Sequence, residues 1–286
     1  MTTSTSTSTS TSTTTTRRRL AAAAATVAAL GLVLTACSGG ATSAENDLGT
    51  LSSGTLRIGT TGDTKPYAYT EDGELQGFDV EIAKEVAERL GVEAEFVTQE
   101  FSALLPAVAN GQLDMGAASI SDTEERRGTV DFSDEYFIGY ISVLADTGSG
   151  ITDDPASLDG KRLGIVQGTI QDSYAQENFS GAELVRFPDN NSAVAALSSG
   201  TVDAHFLDFP VAEEYAAASG GSQEVAINVA VPEFPVAFPI RKGNEQLMEA
   251  VDEALADIVA DGTWLEIDQR YFPDQPVPDQ FRPDEQ

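Results

Sequence analysis

The sequence predicts an α/β protein whose sheets are mainly parallel and flanked by helices. Three observations predict it. Short apolar segments of strand character alternate with amphipathic segments of helical period, and such units pack as parallel strands with helices on their faces. One unit recurs: Leu105-Pro-Ala-Val-Ala-Asn-Gly111-Gln-Leu-Asp114 echoes Val194-Ala-Ala-Leu-Ser-Ser-Gly200-Thr-Val-Asp203, each a helix end, a glycine, an apolar residue, an aspartate and then a strand. The 286 residues include a single cysteine, so no disulfide staples the fold and a buried core must hold it.

The elements follow in order. Arg17-Arg18-Arg19 precedes an apolar run from Leu20 to Leu34, and Leu34-Thr35-Ala36-Cys37 follows. A basic patch, a short apolar run and small residues are the marks of a secretory signal, and the run falls short of the roughly 20 residues that cross a bilayer. The tetrapeptide ending in Cys37 resembles the lipobox of bacterial lipoproteins. That resemblance implies a signal peptide over 1–36, a diacylglycerol on Cys37, and a lipidated tether of small polar residues over 37–54.

The folded part is expected to begin near Thr55. Leu56 to Gly59 reads as a strand ending in a glycine-rich loop. Asp79 opens a helix whose apolar face is Ile82, Ala83, Val86, Ala87 and Leu90, with Gly91 as its stop. Val92–Val97 reads as a strand, and a helix over 103–110 is expected to carry Pro106 in its first turn. Near the C-terminus, Leu247, Ala250, Val251, Ala254, Leu255, Ile258 and Val259 form the stripe of a helix from Asn244 to Ala260. A short helix through Tyr271 follows Gly262. The tail over 273–286, rich in Pro and Asp, is expected to be loose.

The glycine echo has a functional corollary. Eight residues past Gly111 and Gly200 stand Ser119 and Asp208. If the two units are built alike, both lie near carboxyl ends of strands, where open α/β sheets bind ligands.

Composition narrows the function. The formal charge is −30, and removing 1–36, which hold three arginines and no acid, takes it to about −33. Such a surface repels phosphate backbones, which argues against nucleic acid. His205 is the sole histidine, and no second histidine or cysteine supports a catalytic or metal role, so neither a metal nor a cofactor is expected. His205 reads as a strand position, and the lone Trp264 as packing of the last helix.

A set of motifs occurs in order along 55–272: Gly77-Phe78-Asp79-Val80-Glu81, Phe101-Ser-Ala-Leu-Leu-Pro106, Ala118-Ser119-Ile-Ser121-x-Thr123-x-x-Arg126, Asp131-Phe132-Ser133, Gln167-Gly168-Thr169, Asp203-x-x-x-x-Asp208 and Asp261-Gly262-Thr263. Together they resemble family 3 of the bacterial extracellular solute-binding proteins, the amino-acid-binding components of ABC importers. The resemblance implies a two-lobed periplasmic-binding-protein-like fold of type II with two hinge crossings, near Ile138–Ser142 and Phe234–Ala237. Lobe I would span 55–138 and 235–272, and lobe II 139–234. It also implies an amino-acid ligand and a membrane permease as partner; the lipobox adds an extracytoplasmic, membrane-anchored location, and a tethered monomer is the default expectation.

The chemistry fits these expectations. A zwitterion needs a cation and an anion at a fixed separation. Arg126 offers a planar fork for a carboxylate, Thr123 reads as an N-cap that puts Arg126 in the first turn of a short helix, and Ser119 and Ser121 add donors. By resemblance, Thr169 and Ile170 complete the carboxylate site from lobe II, Asp208 takes the ammonium, and Phe101 and Tyr67 wall the ligand side chain. The family's frequent aromatic is Thr64 here, and the acid found in binders of basic amino acids is Thr61. These departures favour a neutral polar or small apolar ligand, while Asp63 keeps a basic one open.

Two rivals are weighed. Thr60-Thr61-Gly62-Asp63-x-Lys65-Pro66 resembles the start of the cyclohexadienyl dehydratases, which share this fold and act on prephenate or arogenate. That chemistry needs a general acid, and the natural place past Thr169 holds Gln171, which cannot supply one. The chain is therefore read as no enzyme. A ligand-sensing module is the other rival.

Overall fold

The computed structural model describes residues 48–283; Cys37, its lipobox and the segments before it lie outside the described residues. The first strands are β1 (Thr55–Thr60), β2 (Asp63–Thr64), β3 (Ala68–Glu71) and β4 (Glu74–Gln76), followed by helix α1 (Phe78–Arg89). Then come β5 (Glu93–Thr98), α2 (Phe101–Ala109), β6 (Met115–Gly116), α3 (Glu124–Arg127) and the long strand β7 (Asp131–Asp146). The middle of the chain forms β8 (Arg162–Val166), α4 (Ile170–Asn178), β9 (Glu183–Phe187), α5 (Asn190–Ser198), β10 (Ala204–Asp208) and α6 (Phe209–Ala218). A second long strand, β11 (Gln223–Ile240), leads to α7 (Glu245–Ala260) and α8 (Thr263–Tyr271).

Eight strands form one curled sheet in the order β5-β1-β6-β11-β7-β10-β8-β9. Its two ends are parallel triplets: β5-β1-β6 in lobe I and β10-β8-β9 in lobe II. Between them, β7 and β11 run antiparallel from one lobe to the other, pairing Val225 with Leu144 at one end and Ile240 with Asp131 at the other. The expected hinge crossings fall inside this ribbon, where Gly139 pairs with Phe234 and Ile138 with Pro235. The register slips between Val229 and Phe234, so the ribbon is bulged at the crossing.

Local sequence explains the elements that carry the site. On α1, Ile82, Ala83, Val86 and Ala87 face the core, and Gly91 follows at φ 70°. Gly77 before the helix stands at φ 131°, and a Cβ there would meet the Tyr67 carbonyl oxygen at 2.1 Å; the turn admits only glycine. An aromatic cluster of Tyr67, Phe78, Phe137 and Phe272 packs beside it, with ring centroids 5.0–5.6 Å apart for the pairs that touch.

Three expectations need correction. Helix α2 starts at Phe101, so Pro106 lies inside it and not in its first turn. The fold begins before Thr55: Leu48 is buried, and Asp114 accepts the Leu51 N–H at 2.7 Å and the Arg57 N–H at 2.9 Å. An aspartate that satisfies two separate backbone donors ties the segment at Leu51 to β1. The C-terminal tail is not loose as far as residue 283. A turn of 3-10 helix, Asp279–Phe281, buries Phe281 and stacks its ring on Trp264, with centroids 4.6 Å apart and planes 21° apart.

Candidate ligand-binding site

The cleft between the lobes encloses a cavity of about 60 Å³, on a scale where one water needs about 10–15 Å³. Ser119 lies just past the end of β6 and Asp208 ends β10, and both line this cavity. The position that the glycine echo assigns to each residue is therefore found in both lobes.

Arg126 is held by its own helix. Thr123 caps α3, its Oγ1 accepting the Arg126 N–H at 3.2 Å. The guanidinium donates from Nη1 to the Ser121 carbonyl at 2.7 Å and from Nη2 across the cleft to the Gly168 carbonyl at 3.1 Å. Its central carbon lies 5.6 Å from the centroid of the Phe101 ring, within reach of a cation–π attraction. Burial lowers its pKa to about 10, and it stays charged at neutral pH.

The loop leading into α3 is also tied to its surroundings by hydrogen bonds. Ser121 bridges to Val236 of β11, and the Asp122 N–H donates to the Pro235 carbonyl at 2.8 Å. Ser119 sits at φ 48°, in the left-handed region, and its N–H donates to the buried carboxylate of Asp79, which also accepts from the Tyr136 hydroxyl at 3.0 Å. Burial raises Asp79 to about 7, against the hydrogen bonds from Ser119 and Tyr136 that lower it.

Lobe II supplies the other wall. Thr169 caps α4, accepting the Asp172 N–H at 3.3 Å, so Thr169, Ile170 and Gln171 bring a helix N-terminus to the cavity, an end that favours negative charge. Asp172 itself is gripped by Arg186, with its closest contact at 2.8 Å. The buried Gln171 donates through Nε2 to Asp208 Oδ1 at 2.7 Å. Burial raises Asp208 to about 6, opposed by the Gln171 hydrogen bond and the Arg126 charge.

The remaining wall is polar. Thr61 and Thr64 line it with their hydroxyls 3.0 Å apart. Asp63 Oδ2 reaches across the cleft to accept the N–H groups of Asn190 at 2.7 Å and Asn191 at 3.4 Å, the first turn of α5. Burial raises the Asp63 pKa, again opposed by those bonds.

The cavity thus gathers Arg126, Asp208, Ser119, Ser121, Phe101, Thr169, Ile170, Thr64 and Thr61. Tyr67 is the exception among the expected residues. Its ring is fully buried between Phe137 and Phe272, 5.6 and 5.5 Å from their centroids, and lies outside the cavity lining. Its ring is core, while its hydroxyl lies on the side of Ser119 and Asp208, which act on it electrostatically. Gln171 and Asn190 line the cavity without having been singled out as binders; only the proximity of Gln171 to the Gln-Gly-Thr motif hinted at it.

Known proteins resemble this chain over the same span. The family model of the bacterial extracellular solute-binding proteins, family 3, matches residues 56–274. The histidine-binding periplasmic protein of Salmonella typhimurium is 31% identical over 232 residues, covering 76% of this chain and 87% of that one. The solved structure of an ancestral arginine-binding protein bound to arginine superposes with a TM-score of 0.74 at 32% identity, over 77% of this chain and 98% of that one. An ancestral amino-acid-binding protein described as a precursor of cyclohexadienyl dehydratase superposes with a TM-score of 0.71 at 31% identity, over 77% and 96%. A two-lobed sheet joined by one ribbon, a cleft lined from both sides, and a family match across both lobes lead to one conclusion: the chain belongs to the bacterial extracellular solute-binding proteins, family 3.

Proposed function

We propose that the chain captures an amino acid in the interlobe cavity and delivers it to a membrane permease of an ABC importer. One observation carries the reading: Arg126 of lobe I and Asp208 of lobe II, opposite charges borne on separate lobes, border a single small cavity. An α-carboxylate at Arg126, Ser119 and the N-terminus of α4, with an α-ammonium at Asp208, matches a zwitterion end to end. A ligand touching both lobes favours the closed arrangement by its contacts to each.

The side chain of the ligand is read as polar. Thr61, Thr64, Gln171 and Asn190 offer hydroxyls and amides at the cavity wall. A side chain with positive charge is the second reading, favoured by Asp63, Glu100 and Asp189 in the same lining. Relatives are named histidine-binding, L-cystine-binding and L-arginine-binding proteins, and an ancestral arginine-binding protein was solved with glutamine. Cys37 serves as the lipid anchor in this proposal, keeping the binder near its permease; two or three acyl chains suffice to hold it.

The test is a thermal-shift and calorimetric screen of the twenty amino acids. A bound ligand raises Tm by mass action, and a hit with a free α-carboxylate and α-ammonium is expected. No shift at millimolar concentration of any amino acid would overturn the reading. Labelling of the wild type but not Cys37→Ala by radioactive palmitate tests the anchor.

A further inference from the structure

The geometry points to Asn190 as the residue that reads the ligand side chain, through a hydrogen-bond acceptor whose direction the buried His205 sets. This rests on the reading of the cavity as an amino-acid site.

His205 lies on β10 with no exposed surface, and its Nδ1 stands 3.0 Å from the Gly164 carbonyl oxygen. A carbonyl only accepts, so Nδ1 carries the proton. Burial lowers the ring's pKa to about 4, leaving a neutral imidazole whose Nε2 bears a lone pair. That lone pair faces Asn190 Oδ1 at 3.1 Å, oxygen against unprotonated nitrogen. A half-turn of the carboxamide relieves this opposition and leaves the heavy-atom distances in place: the NH2 then donates to Nε2, and the oxygen takes the position facing Thr64 Oγ1 at 3.4 Å.

The polar group recorded beside that oxygen is the Thr64 hydroxyl, whose proton is already engaged. Thr64 has one hydroxyl proton, and the Asp63 carboxylate at 3.2 Å is a stronger acceptor for it than a neutral amide. With the Thr64 proton on Asp63, the Thr61 hydroxyl 3.0 Å away is left as the donor of that hydroxyl pair. Asn190 lines the cavity, and its oxygen is then open to a donor from the ligand. An acceptor left without a donor at a half-buried site is costly, and a ligand that brings one removes the cost. Ligand side chains ending in N–H groups (carboxamide, imidazole, guanidinium or ammonium) meet this acceptor. Carboxylate side chains repel it, and apolar ones leave it bare. His205 acts here as a positioning residue and touches no ligand.

The test has two arms on the full chain. Ring-nitrogen NMR of the only histidine should show a protonated Nδ1 and an unprotonated Nε2 at neutral pH; an Nε2-protonated or cationic ring would overturn the inference. Calorimetry would then compare glutamine, histidine, arginine and lysine with methionine, leucine and glutamate. The wild type should favour its best N–H-bearing ligand over methionine, and Asn190→Leu and His205→Phe should each cut that ratio about tenfold. A ratio unchanged in Asn190→Leu overturns the inference while amino-acid binding stands. Failure of both panels on the wild type overturns the amino-acid reading and this inference with it.

Discussion

The Asp79 carboxylate on α1 accepts the backbone N–H of Ser119, a residue without glycine's freedom held at φ 48°. An L residue in that region is strained by about 1 kcal/mol or more, and persists where its surroundings over-determine it. Here they hold Ser119 in the cavity lining. Asp79→Ala should therefore lower both Tm and ligand affinity, the latter about tenfold, as read by calorimetry. Asp79→Asn keeps an acceptor for Ser119 and a partner for Tyr136, and should restore most of the affinity. Restoration failing while the fold stays intact would show that charge, and not position, is what Asp79 supplies.

The same carboxylate predicts a pH trend. Its folded pKa of about 7 exceeds the ordinary 3.8, so the folded state holds its proton more tightly than the unfolded chain. The stability this supplies is full below about pH 4 and is lost as pH rises through about 7, by up to about 4 kcal/mol at 1.36 kcal/mol per unit. Asp79→Asn should flatten that fall between pH 4 and 7 in a urea titration. An identical slope in the variant would sink the assignment.

Ligand affinity should depend on pH through Asp208. Its pKa of about 6 in the ligand-free protein means that acid neutralises it and removes the partner of the ammonium. Affinity should fall below pH 6 and reach a plateau above it. Asp208→Asn should weaken binding about ten- to hundredfold at neutral pH and abolish the trend. Retained affinity in the variant would refute the ammonium assignment.

Arg126→Lys keeps a charge but loses the planar fork. Calorimetry should show binding weakened at least about tenfold, and Arg126→Ala should abolish it. Tm should change little, since Arg126 donates to carbonyls of Ser121 and Gly168 that border the cleft. Unchanged affinity in Arg126→Ala would sink the carboxylate assignment.

Asp63→Ala removes the acceptor that joins β2 to the first turn of α5. The ligand-free protein should open, giving a larger radius of gyration in X-ray scattering, and ligand should dissociate faster. An unchanged radius would mean that the contact at 2.7 Å to Asn190 does not hold the lobes together.

Much of this site was legible in local sequence because local physics sets it. Thr123 capping α3 fixes where Arg126 stands. The glycine-aspartate echo places Ser119 and Asp208 near the carboxyl ends of β6 and β10, although β6 stops at Gly116 and leaves Ser119 in the loop beyond it. What escaped depends on contacts between distant residues. Tyr67 and Phe101 are both aromatics beside a loop, and only packing against Phe272, far along the chain, separates core from cavity wall. Gln171 meets Asp208 across 37 positions, and His205 meets Asn190 across 15. Phe281 looked like part of a loose tail because its partner Trp264 sits in a different element.

The paired strands β7 and β11 carry one last consequence. A single crossing would let one lobe swivel on the other, whereas two hydrogen-bonded crossings resist that torsion and permit bending across the ribbon. The lobes are left with essentially one soft degree of freedom. The Arg126–Gly168 bond on one rim and the Asp63–Asn190 bond on the other are then geared together, made and broken in concert. Free energy gathered anywhere in the cleft emerges as a single mechanical output, the angle between the lobes.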